Sequence, residues 1–239
     1  MKRLFLGVLT TCLSLPLLAQ NYTHFTVWSR LTFQKSLSKK WDFQAEFHYR
    51  RQNDFHLSKY NPLASPLTEA IRLVLSYKQK SMTYSFTPFF FHSYPLYATD
   101  NDFTRPIRYE IRPTWYAEWA SKPKGKWTYR LRLGHEYRLF KLDDDTWGDA
   151  QGRTRFRFQA RCSTNPTNTI VLSEEALVNT FPGSAPNFIS QNQLYGAWVH
   201  TWTPHLSSEI GYNYIFRQRA TLIEYDHENV LNMVLVVRL

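Results

Sequence analysis

The sequence contains little cysteine and no long apolar run beyond its first twenty residues. Only 2 of the 239 residues are cysteine, and Cys12 lies in the N-terminal apolar segment. If that segment is removed, Cys162 has no partner within the chain, which excludes a secreted scaffold held together by internal disulfides. No stretch of about 18 apolar residues follows the N-terminal segment, which excludes a transmembrane helix there.

Motifs of cofactor and metal sites are also missing. The 8 glycines form neither a phosphate-binding loop nor a dinucleotide-binding fingerprint. Asp143, Asp144 and Asp145 lack the spaced oxygens and terminal glutamate of a helix–loop–helix calcium site, so a solvated acidic loop is predicted. Five histidines are scattered without metal-ligand spacing, namely His48, His92, His135, His200 and His227. We therefore predict no cofactor and no metal site.

The first nineteen residues have the pattern of a secretory signal peptide. Lys2 and Arg3 precede an apolar run from Leu4 to Leu18, and the small residue Ala19 follows it. Residues 1–19 are therefore predicted to be a cleaved signal, and residues 20–239 a single domain, because no linker or low-complexity tract divides them. The net charge of +10 indicates anionic partners. Export favours lipid head groups as these partners. A nucleic-acid site would need a continuous basic surface with interleaved aromatics, which the sequence does not indicate, so no nucleic acid is expected.

Alternation with a period of two residues recurs along the chain, whereas helical spacing is nearly absent. In residues 41–49, WDFQAEFHY, every odd position is apolar or aromatic and every even position is polar. The alternation predicts eleven strands, at residues 23–35, 41–51, 71–78, 82–92, 107–119, 127–139, 153–162, 169–179, 189–200, 206–217 and 229–239. Strands of about ten residues or more exceed the usual globular length of about 5–6 and match a tilted bilayer crossing.

The connections between these strands alternate between short and long. The short ones are residues 36–40, 79–81, 120–126, 163–168 and 203–205, and the long ones are 52–69, 93–106, 141–152, 180–188 and 218–226. Short periplasmic turns and long extracellular loops are typical of an outer-membrane β-barrel. We predict an all-β antiparallel transmembrane barrel of 10–12 strands in the outer membrane of a Gram-negative bacterium.

The strand count is odd, whereas bacterial single-chain barrels use even numbers. Either a strand is hidden in a loop, which gives twelve, or residues 23–35 lie outside a closure of ten strands. An alternative fold is a soluble periplasmic β-sandwich, since its core would also produce alternating strands.

Several local patterns resemble one family. HEYRLF, RTRFRFQ, SEEALVN, SQNQLYGAW and SSEIGYNY follow one another from residue 135 to residue 214. This order is similar to that of the domain of unknown function 2490 family, and the resemblance spans about residues 28–239. It departs at Gln193 and Leu194, where the family tends to carry an arginine. The resemblance implies an outer-membrane β-barrel and supplies no activity.

The polar face of the predicted strands is rich in arginine and glutamate. We expect these residues to face the lumen, with Glu110, Glu136 and Glu175 separating arginines that would otherwise repel one another. The predicted lumen-facing network is Asp42, Glu46, Arg108, Glu110, Arg112, Arg130, Arg132, Glu136, Arg138, Arg153, Arg155, Arg157, Glu175, Glu209 and Arg217, and Arg72, Glu118 and Arg161 share the alternation.

This network allows two non-enzymatic functions. A ring of arginines predicts a narrow pore that favours anions, whereas complete ion pairing predicts a plugged structural barrel. An alternative from another class is a lipid-modifying hydrolase built on His205, Ser207 and Glu209, although these residues follow Pro204 in a short turn. The expected partners are membrane lipid, lipopolysaccharide and the barrel-assembly machinery, which would recognise the C-terminal strand.

Overall fold

A computed structural model describes residues 20–141, 146–180 and 187–239. The predicted signal peptide, residues 1–19, and the acidic loop residues Asp143, Asp144 and Asp145 lie outside these ranges. Over the described ranges, no helix has both the length and the apolar character needed to cross a membrane.

The described residues form a single all-β sheet. One short helix, α1 (Asp100–Phe103), lies in a connection. The thirteen described strands are β1 Gln20–Ser36, β2 Trp41–Gln52, β3 Ser65–Gln79, β4 Met82–Thr87, β5 Phe89–Ser93, β6 Arg108–Ile111, β7 Thr114–Ala120, β8 Trp127–Phe140, β9 Gln151–Ser163, β10 Asn168–Asn179, β11 Ile189–Thr203, β12 Leu206–Gln218 and β13 Glu224–Arg238.

Two pairs of short strands each occupy one position in the wall. Pro88 separates β4 from β5, and Pro113 lies between β6 and β7. A proline has no N–H to donate, so it interrupts the ladder of hydrogen bonds. Its carbonyl still accepts, because Leu73 N donates to Pro88 O at 3.1 Å and Tyr137 N donates to Pro113 O at 3.0 Å. The wall therefore has eleven strand positions.

The sheet closes into a barrel through one parallel pair. β2 pairs with both β1 and β3, and β1 runs parallel to β13 from Gln20 opposite Glu224 to Gln34 opposite Arg238. All other described pairings are antiparallel. The predicted barrel is confirmed, and the sandwich alternative is wrong because one continuous sheet closes on itself.

Both predicted resolutions of the strand count are wrong. Residues 23–35 belong to β1 and lie within the wall, and the described connections add no twelfth wall position. Eleven strands that alternate in direction leave the first and last running the same way, so the closing pair has to be parallel. Parallel pairing has evenly spaced, slanted hydrogen bonds, which makes this closure geometrically possible.

The two rims of the barrel differ in the length of their connections. Turns of two to six residues join strands at one rim, which we call the short-turn rim, and four of the five connections at the opposite, long-loop rim are longer, at residues 53–64, 94–107, 141–150 and 180–188. Gln20 N donates to Ile223 O at the long-loop rim (2.9 Å), whereas Leu239 N donates to Gln34 O at the short-turn rim (2.8 Å). The predicted alternation of short and long connections is confirmed except at residues 218–226, which were predicted to be a long connection: β13 begins at Glu224, so only residues 219–223 join it to β12.

Ion pairs that skip a strand identify the concave side of the sheet. Arg157 on β9 contacts Glu118 on β7 at 2.8 Å across the intervening β8. Arg132 on β8 contacts Glu175 on β10 at 3.2 Å across β9. Side chains can meet in this way only on the inside of a curved wall. We call this face the inner wall.

The outer face is apolar. In the segment WDFQAEFHY, the side chains of Phe47 and Tyr49 are exposed, whereas Asp42 and Glu46 are buried. The same division recurs around the barrel, and exposed large side chains on the other strands include Ile71, Leu75, Phe86, Trp115, Leu131, Leu133, Phe156, Phe158, Ile170, Leu172, Leu194, Ile210, Leu231, Met233 and Leu235. Soluble monomers rarely expose large apolar patches, so an outer face with this many exposed apolar side chains is not typical of one.

One glycine gives room for a ring on the inner wall. A Cβ atom added to Gly134 on β8 would lie 2.5 Å from Cδ1 of Tyr116 on β7. Tyr116 itself is buried, and the guanidinium carbon of Arg132 lies 4.7 Å from the centre of its ring. The missing side chain therefore lets the tyrosine lie flat against the wall beside the arginines.

Candidate functional site

Charged residues of β6 to β10 meet on the inner wall because strand alternation brings them into register. On β9, inward positions from residue 153 to residue 161 carry four arginines and Gln159. The β8 ladder sets Glu136 opposite Arg153 and Arg132 opposite Arg157. Side chains at directly opposed positions lie about 4.5–5.5 Å apart at Cβ, so this register decides which charges can pair.

Glu136 lies at the centre of these contacts. Its side chain is only 1% exposed. One carboxylate oxygen accepts from Arg153 at 2.7 and 2.8 Å, the other accepts from Arg155 at 2.7 Å, and Arg112 approaches to 3.9 Å. A buried carboxylate that is surrounded by guanidinium groups has its desolvation cost offset by charge-assisted hydrogen bonds.

Glu110 forms a second centre. Arg112 binds it through two nitrogens at 2.6 and 2.8 Å, and Arg138 binds it through two nitrogens at 2.8 and 3.1 Å. Each arrangement is the two-pronged contact that the planar guanidinium group makes with a carboxylate. Glu110 is therefore held between Arg112, two residues further along the same wall position, and Arg138 on the neighbouring β8.

Two further glutamates extend the contacts. Glu175 accepts from Arg155 at 2.6 and 3.1 Å and from Arg132 at 3.2 Å. Glu118 is paired with two more arginines, at 3.1 and 2.8 Å. We call the whole set the inner-wall cluster, and its members are Glu110, Glu118, Glu136, Glu175, Arg112, Arg130, Arg132, Arg138, Arg153, Arg155 and Arg157. Seven arginines and four glutamates leave three net positive charges.

The arginines of the cluster are more accessible than most of its carboxylates. The side chain of Glu110 is 6% exposed, whereas that of Arg155 is 18% exposed and that of Arg130 is 39% exposed. Glutamate is the shorter side chain and stays close to the backbone, while the longer arginine reaches toward the barrel axis. The water-accessible surface of the cluster is therefore predominantly positive.

The remaining predicted network residues lie elsewhere. On the β2–β3 side, Asp42 pairs with Lys78, and Glu46 contacts His48 at 3.0 Å and Arg72 at 3.4 Å. These contacts use the inner wall but are separate from the inner-wall cluster.

Three predicted residues near the strand ends also remain apart from the cluster. Glu209 accepts a hydrogen bond from Tyr195, and Arg217 pairs with Glu228 at 2.6 Å. Arg108 is exposed at the start of β6 and has no ion pair with any residue in the described ranges. The inner-wall cluster therefore contains ten of the predicted residues, plus Glu118.

The chain matches one protein-family model along most of its length. The model for "Protein of unknown function (DUF2490)" matches residues 25–225. The chain belongs to the DUF2490 family. The matched range contains the whole inner-wall cluster and the wall from Phe25 of β1 to the end of β12, whereas all of β13 beyond Tyr225 lies outside it. The sequence resemblance is therefore confirmed at the level of the family.

No curated protein matches the sequence. Among solved structures, the chain is similar to one described as "NanC porin structure in rhombohedral crystal form". The identity is 11%, the match covers 82% of this chain and 87% of that chain, and the TM-score is 0.46.

The DUF2490 barrel also has a charged group at the long-loop rim that was not predicted. Asp226 contacts His24 at 2.9 Å and Arg219 at 2.8 Å, and Arg219 lies 3.7 Å from Asp102 in α1. The signal was present, because Asp226 and Glu228 alternate with Tyr225 and His227. It was missed because the last strand was predicted to begin at residue 229, five residues after its actual start.

The residues of the hydrolase alternative do not assemble into a catalytic arrangement. The Ser207 hydroxyl accepts from Arg238 at 3.0 Å, and His205 Nδ1 contacts the backbone oxygen of the same Arg238, also at 3.0 Å. Glu209 is engaged by Tyr195. In the described ranges, no cluster of three or more His, Cys, Asp or Glu side chains has a geometry that could hold a metal ion.

Proposed function

We propose that this DUF2490 protein is a non-enzymatic outer-membrane β-barrel of a Gram-negative bacterium that forms a narrow, anion-favouring pore. The observation that carries the proposal is the inner-wall cluster, whose accessible groups are guanidinium groups while its carboxylates lie mostly behind them. Rings of positive side chains favour anions in narrow passages.

The outer face supports membrane placement. Large apolar side chains are exposed around the barrel, and tryptophans lie near the short-turn rim, namely Trp41, Trp119, Trp127 and Trp202. Aromatic girdles at the edges of an apolar band are typical of barrels that cross a bilayer. A closed sheet also leaves no unpaired strand edge, which hydrocarbon surroundings require. In this placement the short-turn rim faces the periplasm.

Polar side chains on the outer face support an end of the apolar, membrane-crossing band toward the long-loop rim. Toward the long-loop rim, Tyr212 donates to Asn229 at 2.6 Å, and Asn192 donates to Glu174 at 3.0 Å. Exposed polar groups of this kind fit the head-group region rather than the hydrocarbon region. Membrane lipid and lipopolysaccharide are accordingly the proposed surroundings.

The C-terminal strand fits recognition by the barrel-assembly machinery. β13 carries Leu231, Met233 and Leu235 exposed at alternate positions and ends at Arg238. We propose that this strand is the segment presented during insertion, as expected for an exported barrel with a cleaved signal peptide at residues 1–19.

A plugged structural barrel is the second candidate, and one observation favours it. The side chains of Glu136, Arg112 and Arg153 are all nearly buried around their shared contacts. A fully paired set of this kind would fix the strand register without conducting ions.

Single-channel recording across a planar bilayer distinguishes the two candidates. We expect small conductance steps, with a reversal potential in a KCl gradient that indicates preference for chloride. Arg130→Gln should shift that potential toward zero, because it removes an accessible charge. The matched control is Arg51→Gln, since Arg51 is on the outer face of β2 and donates to the backbone oxygens of Leu63 and Ala64. Folded protein without conductance steps would favour the plugged barrel.

A further inference from the structure

One inner-wall arginine differs from all those of the inner-wall cluster. Arg50 on β2 lies opposite Trp28 on β1, and its guanidinium carbon is 3.7 Å from the centre of the indole ring. Stacking of this kind fixes the plane of the guanidinium group and leaves the N–H groups along its edge. The wall therefore holds the arginine in one orientation without using its hydrogen-bond donors.

No described side chain neutralises this charge. Arg50 has no carboxylate within 4 Å in the described ranges, and none of its nitrogens donates to an acceptor there. The positive groups of Arg112, Arg217 and Arg30 are near enough to repel it, and Glu228 offers the main attraction. An arginine stays charged under all ordinary conditions, so a site with this much positive potential favours an added anion.

Further donors without protein acceptors surround Arg50. The ladder sets Trp28 between Arg50 on one side and Asn232 of β13 on the other, so the three side chains form one row on three adjacent strands. The indole Nε1 of Trp28, the amide nitrogen of Asn232 and the Nε of Arg30 are all buried without an acceptor in the described ranges. Buried donors are normally satisfied, so a group of them on one patch calls for a ligand.

We infer that Arg50, Trp28 and Asn232 form a binding site for a small oxyanion, either phosphate-like or carboxylate. Such an anion accepts hydrogen bonds and donates few or none, which matches a patch of donors. The guanidinium edge can bind two oxygens at once, and the indole and amide N–H groups can bind others. The site shares with the proposed pore the need for a barrel interior that solutes can enter. It does not require them to pass through.

Calorimetric titration of the folded, detergent-solubilised protein tests this site. The probes are inorganic phosphate and acetate, each titrated at constant ionic strength with chloride as the reference anion. We expect saturable binding of at least one probe, and the stronger of the two identifies the oxyanion class. Arg50→Gln should weaken that binding by roughly ten- to a hundredfold, since one charged hydrogen-bonding partner is lost. Arg50→Lys should weaken it less, because the charge stays and the two-pronged contact is lost.

Matched controls separate the site from general charge effects. Arg51→Gln removes the same charge from the next residue of β2, on the outer face, and should leave binding unchanged. Heat-modifiable gel mobility shows whether each variant is folded. The inference is overturned if neither probe binds more tightly than chloride, which would mean that water alone meets these donors, or if folded Arg50→Gln binds as the parent does.

Failure of the site and failure of the pore give different results. If the barrel shows saturable binding that depends on Arg50 but no conductance, the binding site is supported and the pore is refuted. If the barrel shows anion-selective conductance but no saturable binding, the pore is supported and the binding site is refuted.

Discussion

The adjacent residues Glu174 and Glu175 provide a direct test of the inner-wall cluster. They have the same side chain, but Glu174 is exposed on the outer face and Glu175 is buried on the inner wall. Changing each to glutamine removes the same charge and almost no volume. The two variants therefore differ only in the surroundings from which the carboxylate is lost.

The structure sets the expected size of the difference. In Glu175→Gln, Arg155 keeps its contact with Glu136, whereas Arg132 loses its carboxylate partner. Removing one partner of a buried ion pair costs about 3–5 kcal/mol. Arg132 retains some water and its contact with the ring of Tyr116, so we expect a smaller cost than for a fully buried pair, about 2–4 kcal/mol.

The assay is urea unfolding of the protein folded into lipid vesicles, followed by tryptophan fluorescence. We expect Glu174→Gln to stay within about 0.5 kcal/mol of the parent, as exposed substitutions usually do. If the two variants differ by less than about 1 kcal/mol, the buried ion pairs of the cluster do not stabilise the barrel and our reading of them is refuted.

Two further predictions concern packing and membrane placement. Gly134→Ala should lower the free energy of unfolding by about 1–3 kcal/mol because its new Cβ would overlap a tyrosine ring, whereas Gly196→Ala, with its nearest contact at 3.5 Å, should be nearly neutral in the same urea assay. In variants that keep a single tryptophan, lipids brominated in the acyl chain should quench Trp115, which is exposed on the outer face, and should leave Trp28 on the inner wall largely unquenched. Equal quenching of both would contradict the proposed placement.

Local alternation predicted much of the wall because it is a property of each strand alone. A strand turns successive side chains to opposite faces, so one exposed Phe47 and one buried Glu46 establish the orientation of their neighbours. By the same rule only one of the adjacent residues Glu174 and Glu175 can face inward, and the structure buries Glu175. The breaks at Pro88 and Pro113 are local too, and their signal was the missing backbone donor.

The alternation gave eleven strands, as observed, but the parallel closure of the sheet and the partners of each arginine were beyond this reasoning. Closure depends on how the two ends of the sheet meet, and no segment of the sequence encodes that meeting by itself. Pairing depends on register between strands, where a shift of one residue exchanges the two faces. Arg50 and Arg155 both stand at inward positions of alternating strands. Only the assembled wall places two carboxylates beside Arg155 and an indole ring beside Arg50.

The parallel seam between β1 and β13 has a practical consequence for handling the protein. Because both strands run from the long-loop rim to the short-turn rim, Gln20 and Leu239 emerge from opposite mouths of the barrel. A reporter fused ahead of β1 and one fused behind β13 would sit on opposite sides of any bilayer that the barrel spans. Joining the two ends to make a permuted chain would need a linker long enough to run the full height of the wall.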